Sequence, residues 1–171
     1  MHKIKVLDDR IRTDLIREKK KDAKLVKKAK KKEITIEEWM EGENHYTTLL
    51  FQDMTDHDSI LNIQSVLVEE LKNYKEITDQ DSILVIGLGN PKSTPDSLGP
   101  KVINEIDVTR HIIKYLPQYI DENARPVTAI SPGVLGTTGI ETVEILKGIV
   151  DNIKPKLLIV IDALASRSID R

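Results

Sequence analysis

The stretch SILVIGLGNPKSTPD, residues 82–96, constrains this chain more than any other. Ile83 to Ile86 is a short β-branched run, too brief for a helix and too apolar for a surface, and it predicts a buried strand. Gly87 and Gly89 let the backbone turn where a side chain would clash. Pro91 and Pro95 stiffen the loop that follows, and Asp96 ends it just ahead of an apparent helix. LLIVI, Leu157 to Ile161, reads as a second buried strand and runs straight into Asp162. Just past the carboxyl ends of buried strands is where open α/β sheets keep their chemistry.

The chain between these strands alternates. Leu98, Val102, Ile103, Ile106, Ile112 and Ile113 predict a helix broken once, with Pro100 in its first turn and Pro117 at its end. Val127 to Ile130 predicts a strand stopped by Pro132 and Gly133. Gly136-Thr-Thr-Gly139 opens a further helix, in which Ile140, Val143, Leu146, Ile149 and Ile153 form the expected buried face. Thr138 and Glu141 have the spacing of a capping box there. The resulting β-α-β-α-β order over 82–162 calls for a parallel sheet with right-handed crossovers. A chain that stops so soon after a buried strand is expected to be the front part of a longer protein.

The N-terminal half is of another character. Residues 1–16 show no period and read as a loosely held terminal arm. Residues 17–32, REKKKDAKLVKKAKKK, are strongly basic and fit a surface helix or a solvated segment. Ile34 and Ile36 alternate with polar neighbours in EITIEEW, Gly42 to Asn44 is a turn signal and HYTTLLF follows, so a hairpin is expected, with Trp39 as a packing residue. Residues 58–75 carry apolar Ile60, Leu61, Ile63, Leu67, Val68 and Leu71, an amphipathic helix with Asp58 or Ser59 as cap and Lys72 and Lys75 at its negative end.

Composition narrows the function. The 171 residues contain no cysteine, so disulfides and thiolate metal sites are excluded. A net charge of −2 argues against general nucleic-acid affinity, and direct nucleic-acid binding is not expected. No apolar run is long enough to span a membrane, and no secretory signal core opens the chain, so no membrane partner is expected and the default location is intracellular.

Known glycine-rich motifs fit the central turn poorly. Gly87-Leu-Gly89-Asn-Pro-Lys92 lacks the third glycine of a dinucleotide fingerprint, its prolines spoil the helix start that would hold a pyrophosphate, and no Gly-Lys-Ser/Thr makes a P-loop. Asp96 and Asp162 are the better candidates. In one parallel sheet both would emerge at the same edge. They could share a proton and act as acid and base on water, or hold a divalent metal through oxygen. They could equally be structural, Asp96 capping a helix over 97–110 and Asp162 ending a strand. Ser131, Gly133, Thr137 and Thr138 lie on the SPGVLGTTG loop at that edge, where backbone amides at a helix start could hold a carbonyl oxygen or carboxylate. A Ser–His pair is disfavoured, since no GxSxG elbow occurs and His111 falls within a helix. His45 and His57 lack a second ligand at helical spacing, and Asp53, Asp56 and Asp58 lack calcium-loop spacing.

VIGLGN…TPDSLGPKV, VTRH, RPVTAISPGVLGTTGIET and IDALASRSIDR together resemble the germination protease family of spore-forming bacteria, densely from Ile83 to Arg171. IRTDLI near the N-terminus is similar to a segment of the same family, and 17–75 is only loosely similar and richer in lysine. The resemblance implies an atypical aspartic endopeptidase that degrades small acid-soluble spore proteins early in germination. It implies a self-processing zymogen, a homotetramer, and a location in the cytoplasm of the forespore or spore core. The two catalytic aspartates would be Asp96 in TPD and Asp162 in IDA, with no cofactor and no metal. Propeptide cleavage would fall near Arg12, Thr13, Asp14 and Leu15.

The expected organisation is a propeptide-like arm over 1–16, a Lys-rich segment over 17–32 and an α/β peptidase domain over 33–171. The fold class expected is α/β, a mostly parallel sheet with flanking helices, phosphorylase/hydrolase-like as in the hydrogenase-maturation peptidases. In that relative the matching carboxylates and a later histidine hold a metal, so a metal-dependent maturation-type endopeptidase is the enzyme alternative. Peptidyl-tRNA hydrolase, which also has a GLGNP turn and a TRH segment, ranks third. A non-catalytic basic binding module is the alternative outside enzymes.

Overall fold

The computed structural model describes residues 23–72, 77–78 and 80–165. The expected propeptide arm, Lys75 and the first residues of the basic segment lie outside them. The chain divides into two compact units, Met1–Lys75 with Leu164–Arg171, and Glu76–Ala163.

The first unit is an antiparallel sheet of β1 (Lys24–Lys31), β2 (Ile34–Glu41) and β3 (Asn44–Leu50), in that spatial order, with helix α1 (His57–Lys72). The hairpin of β2 and β3 is as expected, and β1 corrects the reading of the basic segment as a helix or solvated stretch. Lysine-rich as it is, β1 forms because β2 offers acids across the ladder. Lys27 lies opposite Glu38 and Lys28 opposite Glu37. Their ammonium groups reach those carboxylates at 2.7 and 2.9 Å, and opposite charges across strands are favourable. Lys31 bonds Glu69 of α1, and Lys32 donates to the Ser65 hydroxyl at 2.9 Å.

Ile34, Ile36 and Val66 are the buried centre of this unit, with Leu49 and Ile63 packed against it. Val66 takes the place that periodicity gives to its neighbours, and Leu61, Leu67, Val68 and Leu71 are exposed. The cap of α1 is Asp56, not Asp58 or Ser59. Its carboxylate accepts the Ser59 N–H at 2.9 Å, a donor that a helix start leaves orphaned, and its carbonyl accepts the Ile60 N–H at 3.2 Å as the first bond of the helix.

The second unit is the expected β-α-β-α-β. Strand β4 (Ile83–Gly87) lies between β5 (Val127–Ile130) and β6 (Leu157–Ile161), parallel to both. Leu84 and Ile86 are wholly buried and Val85 nearly so, each worth about 1.5–3 kcal/mol of apolar burial. β6 corrects the expectation of a second buried strand: Leu157, Ile159 and Ile161 are half-buried on one face, and Leu158 and Val160 are exposed on the other. The chain from β4 to β5 forms α2 (Leu98–Asn104) and α3 (Arg110–Tyr115), the break that was expected. Thr109 ties that break to β5: its hydroxyl accepts the Val127 N–H at 2.8 Å and donates to the Arg125 carbonyl.

The chain from β5 to β6 forms a short α4 (Leu135–Thr138) and then α5 (Thr142–Ile153). The expected capping box fails. Gly139 ends α4 at φ 71°, and Glu141 precedes α5 without a side-chain cap bond. Ile140 and Val143, expected in the buried face, are exposed. Ile145, Leu146, Ile149, Val150 and Ile153 are the half-buried set instead.

Candidate active site

The site is built where β4 and β6 end. Gly87 pairs with Ile161 at the last position of the parallel ladder, and the Leu88 N–H extends it by donating to the Ile161 carbonyl at 2.9 Å. The next residue along each chain begins a loop, one leading to Asp96 and the other opening with Asp162. The two loops that carry these aspartates therefore start from the same edge of the same sheet.

The Asp96 loop is closed on itself. Asp96 ends a 3-10 turn, Thr94–Asp96. The Asn90 N–H is shared between the Asp96 carbonyl and carboxylate, 2.9 Å from each. Gly89 makes this approach possible. Its φ is 119°, and a Cβ there would lie 2.1 Å from the Asp96 carbonyl oxygen, which explains the glycine at the second position of GLGN. Asp96 is half-buried and does not cap a helix; Ser97 occupies the cap position of α2, and its hydroxyl donates to the Thr94 carbonyl at 3.0 Å. Asp162 is exposed and its carboxylate accepts the Ala163 N–H at 2.8 Å.

A cleft of about 380 Å³ is lined by Asn90, Pro91, Lys92, Pro100, Asn104, Ser131, Gly133 and Thr137. It brings the GLGNPK turn, α2 and the SPGVLGTTG loop together. Ser131, Gly133 and Thr137 line it as a group, and Thr138 and the two aspartates are outside its lining. Asn90 joins the cleft to Asp96, because it lines the one and its N–H donates to the other. Asn90, Pro91, Lys92, Pro100 and Asn104 were missed by sequence reasoning, which weighed the turn as a nucleotide motif and not as a cleft wall.

One expected device is absent. The amides of Thr137 and Thr138 donate to the Val134 carbonyl at 2.8 and 3.1 Å, and that of Gly139 donates to Leu135 at 2.8 Å. They are spent inside the loop and do not form an anion cradle. Thr137 and Thr138 also pack their side chains beneath Gly133, whose φ is 81°. Among the described residues no group of three or more His, Asp and Glu side chains is gathered as metal ligands, and no helix is long and apolar enough to cross a membrane. His111 is exposed on α3. A smaller cavity of about 160 Å³ belongs to the first unit, lined by Trp39, His45 and Tyr46 among others.

The germination protease family profile matches residues 3–171. The chain belongs to the germination protease family. The germination protease of Clostridium acetobutylicum is 53% identical over 131 residues, 74% of this chain and 40% of that protein. That of Clostridium tetani is 49% identical over 129 residues, again 74% and 40%. The match to the Bacillus thuringiensis subsp. konkukian protein is 37% over 162 residues, 92% of this chain and 44% of the relative. The chain thus spans about two fifths of the length of the curated germination proteases it matches.

Proposed function

We infer that this chain carries the two catalytic carboxylates of an endopeptidase that starts the degradation of small acid-soluble spore proteins at germination. The observation that carries the reading is the parallel pairing of β4 with β6 up to Gly87 and Ile161, which sends the loops of Asp96 and Asp162 off one sheet edge. Family membership supports the reaction class.

The chemistry follows from two carboxyl groups facing one peptide bond with a single proton between them. The ionised one takes a proton from water as its oxygen attacks the carbonyl carbon. The protonated one donates to the carbonyl oxygen. As the C–N bond breaks, the proton taken from water passes to the leaving amine, and the re-forming carbonyl returns its proton to the carboxylate that gave it, which restores the pair. Ser131, Gly133, Thr137 and Thr138 would help bind the substrate strand, the first three from the cleft itself.

The reading extends to a hydrogenase-maturation-peptidase-like sheet, a zymogen cut near Arg12, Thr13, Asp14 and Leu15, a homotetramer, and action in the spore core. The test is digestion of a purified small acid-soluble spore protein, with and without a chelator, followed by mass spectrometry of the fragments. Defined fragments that persist in chelator are expected. Loss of cutting in chelator contradicts the aspartic mechanism and favours a metal held by the same carboxylates.

A further inference from the structure

Three glycines make close main-chain approaches where the two aspartate loops begin, Gly87 to Gly99, Gly99 to Leu88 and Ile161, and Gly89 to Asp96. A Cβ on Gly99 would lie 2.3 Å from the Leu88 carbonyl oxygen and 2.6 Å from both the Leu88 nitrogen and the Ile161 carbonyl oxygen. Those last two atoms are partners in the hydrogen bond that closes the β4–β6 ladder. A Cβ on Gly87 would lie 2.3 Å from the Gly99 carbonyl oxygen and 2.5 Å from Ile103 Cγ1. A Cβ on Gly89 would strike the Asp96 carbonyl.

The first turn of α2 therefore rests directly on the junction of β4 and β6, with no side chain between. Gly99 lies three residues after Asp96, and Ile161 immediately precedes Asp162. Nothing in the backbone of a short helix demands glycine at this position, where alanine is the better helix former. The demand comes from the close approach alone. Gly148 and Gly136 form the contrast, since a Cβ on either meets nothing within 4 Å.

We propose that Gly99 is a positioning residue for the aspartate pair: its bare backbone, seated on Leu88 and Ile161, holds the segment bearing Asp96 against the strand bearing Asp162. This rests on the two-aspartate reading above. A methyl group at Gly99 has no flexible side chain to push aside, because the atoms it meets are main chain. It must lift α2 from the junction, and Asp96 moves with α2 while Asp162 stays with β6. Misplacing a catalytic group by about 1 Å can cost on the order of 100-fold in rate.

The test compares Gly99→Ala with Gly148→Ala, Asp96→Asn and Asp162→Asn, using a small acid-soluble spore protein as substrate and amide hydrogen exchange as a second readout. Gly99→Ala is expected to lower kcat by about 100-fold with KM changed less than about twofold, and Gly148→Ala to leave both unchanged. In Gly99→Ala the Leu88 and Asn90 amides are expected to lose exchange protection while those of Leu84 and Ile86 keep it.

Wild-type kcat in a folded Gly99→Ala chain overturns the proposal. So does unchanged protection at Leu88 and Asn90, a readout independent of turnover. If Gly99→Ala does not fold, exchange in the wild-type chain decides: the Leu88 amide, bonded to the Ile161 carbonyl under Gly99, is expected to be protected like those of Leu84 and Ile86, and exchange as fast as in an open loop overturns the proposal. Turnover retained in both Asp→Asn variants removes the two-aspartate reading and this inference with it. Turnover lost in those variants but kept in Gly99→Ala removes the inference alone.

Discussion

Single carboxylates govern how this chain answers to acid. Asp56 is held below its ordinary value of 3.8 by the Ser59 hydroxyl and backbone N–H, Asp53 by the Thr55 hydroxyl and N–H, and Asp81 by the Thr78 N–H and hydroxyl. A carboxyl whose folded pKa is depressed contributes stability in full above its unfolded value, and loses it as pH falls through the folded one. Urea unfolding is therefore expected to be flat between pH 5 and 7 and to weaken below about pH 4. Asp56→Asn keeps a competent cap and should reduce the acid loss without lowering stability at pH 7. An acid response identical to wild type would contradict the assignment. Gly148→Ala, in the middle of α5 with open space at its Cβ, should raise stability by about 0.5–1 kcal/mol. Asp56 also marks a limit of legibility. Asp56, Asp58 and Ser59 all suit a cap, and only the backbone path selects among them.

At the scale of elements, β1 was the least legible part. It lacks apolar alternation, and its turn lacks the usual residues. Lys32 and Glu33 connect β1 to β2 with φ of 49° and 66°, as in a primed two-residue hairpin turn, where Asn-Gly is preferred. A charged pair in that conformation carries strain. Replacing Lys32-Glu33 with Asn-Gly should stabilise the first unit by about 1 kcal/mol, read in thermal unfolding, and a loss of stability would refute the strain. The lysine ladder is also graded. The Glu37 side chain is 4% exposed and its partner Lys28 reaches it at 2.9 Å, whereas Glu33, partner of Lys30, is 89% exposed. Lys28→Met should therefore cost about 1 kcal/mol more than Lys30→Met. The β-α-β-α-β half was legible because parallel strands are continuous apolar runs, though such a run did not predict burial: only β4 is buried, and β6 exposes Leu158 and Val160. The helix faces of this half were misjudged where α4 interrupts, because Gly139 ends α4 and a new helix phase starts only at Thr142, past Ile140.

For the molecule as a whole, the common sheet edge from which the Asp96 and Asp162 loops start could be read from two apolar strands each running toward an Asp. The cleft beside them could not, since it gathers Asn90, Lys92, Asn104 and Ser131 from segments that only the tertiary fold brings together. The most direct test of the central claim is digestion of a small acid-soluble spore protein by the wild-type chain beside Asp162→Asn, with thermal melts of both. Asn can still accept the Ala163 N–H that Asp162 accepts at 2.8 Å, so the fold should be untouched. The expected result is equal melting and no cutting by Asp162→Asn. Equal melting with cutting retained would contradict the shared-proton aspartate mechanism.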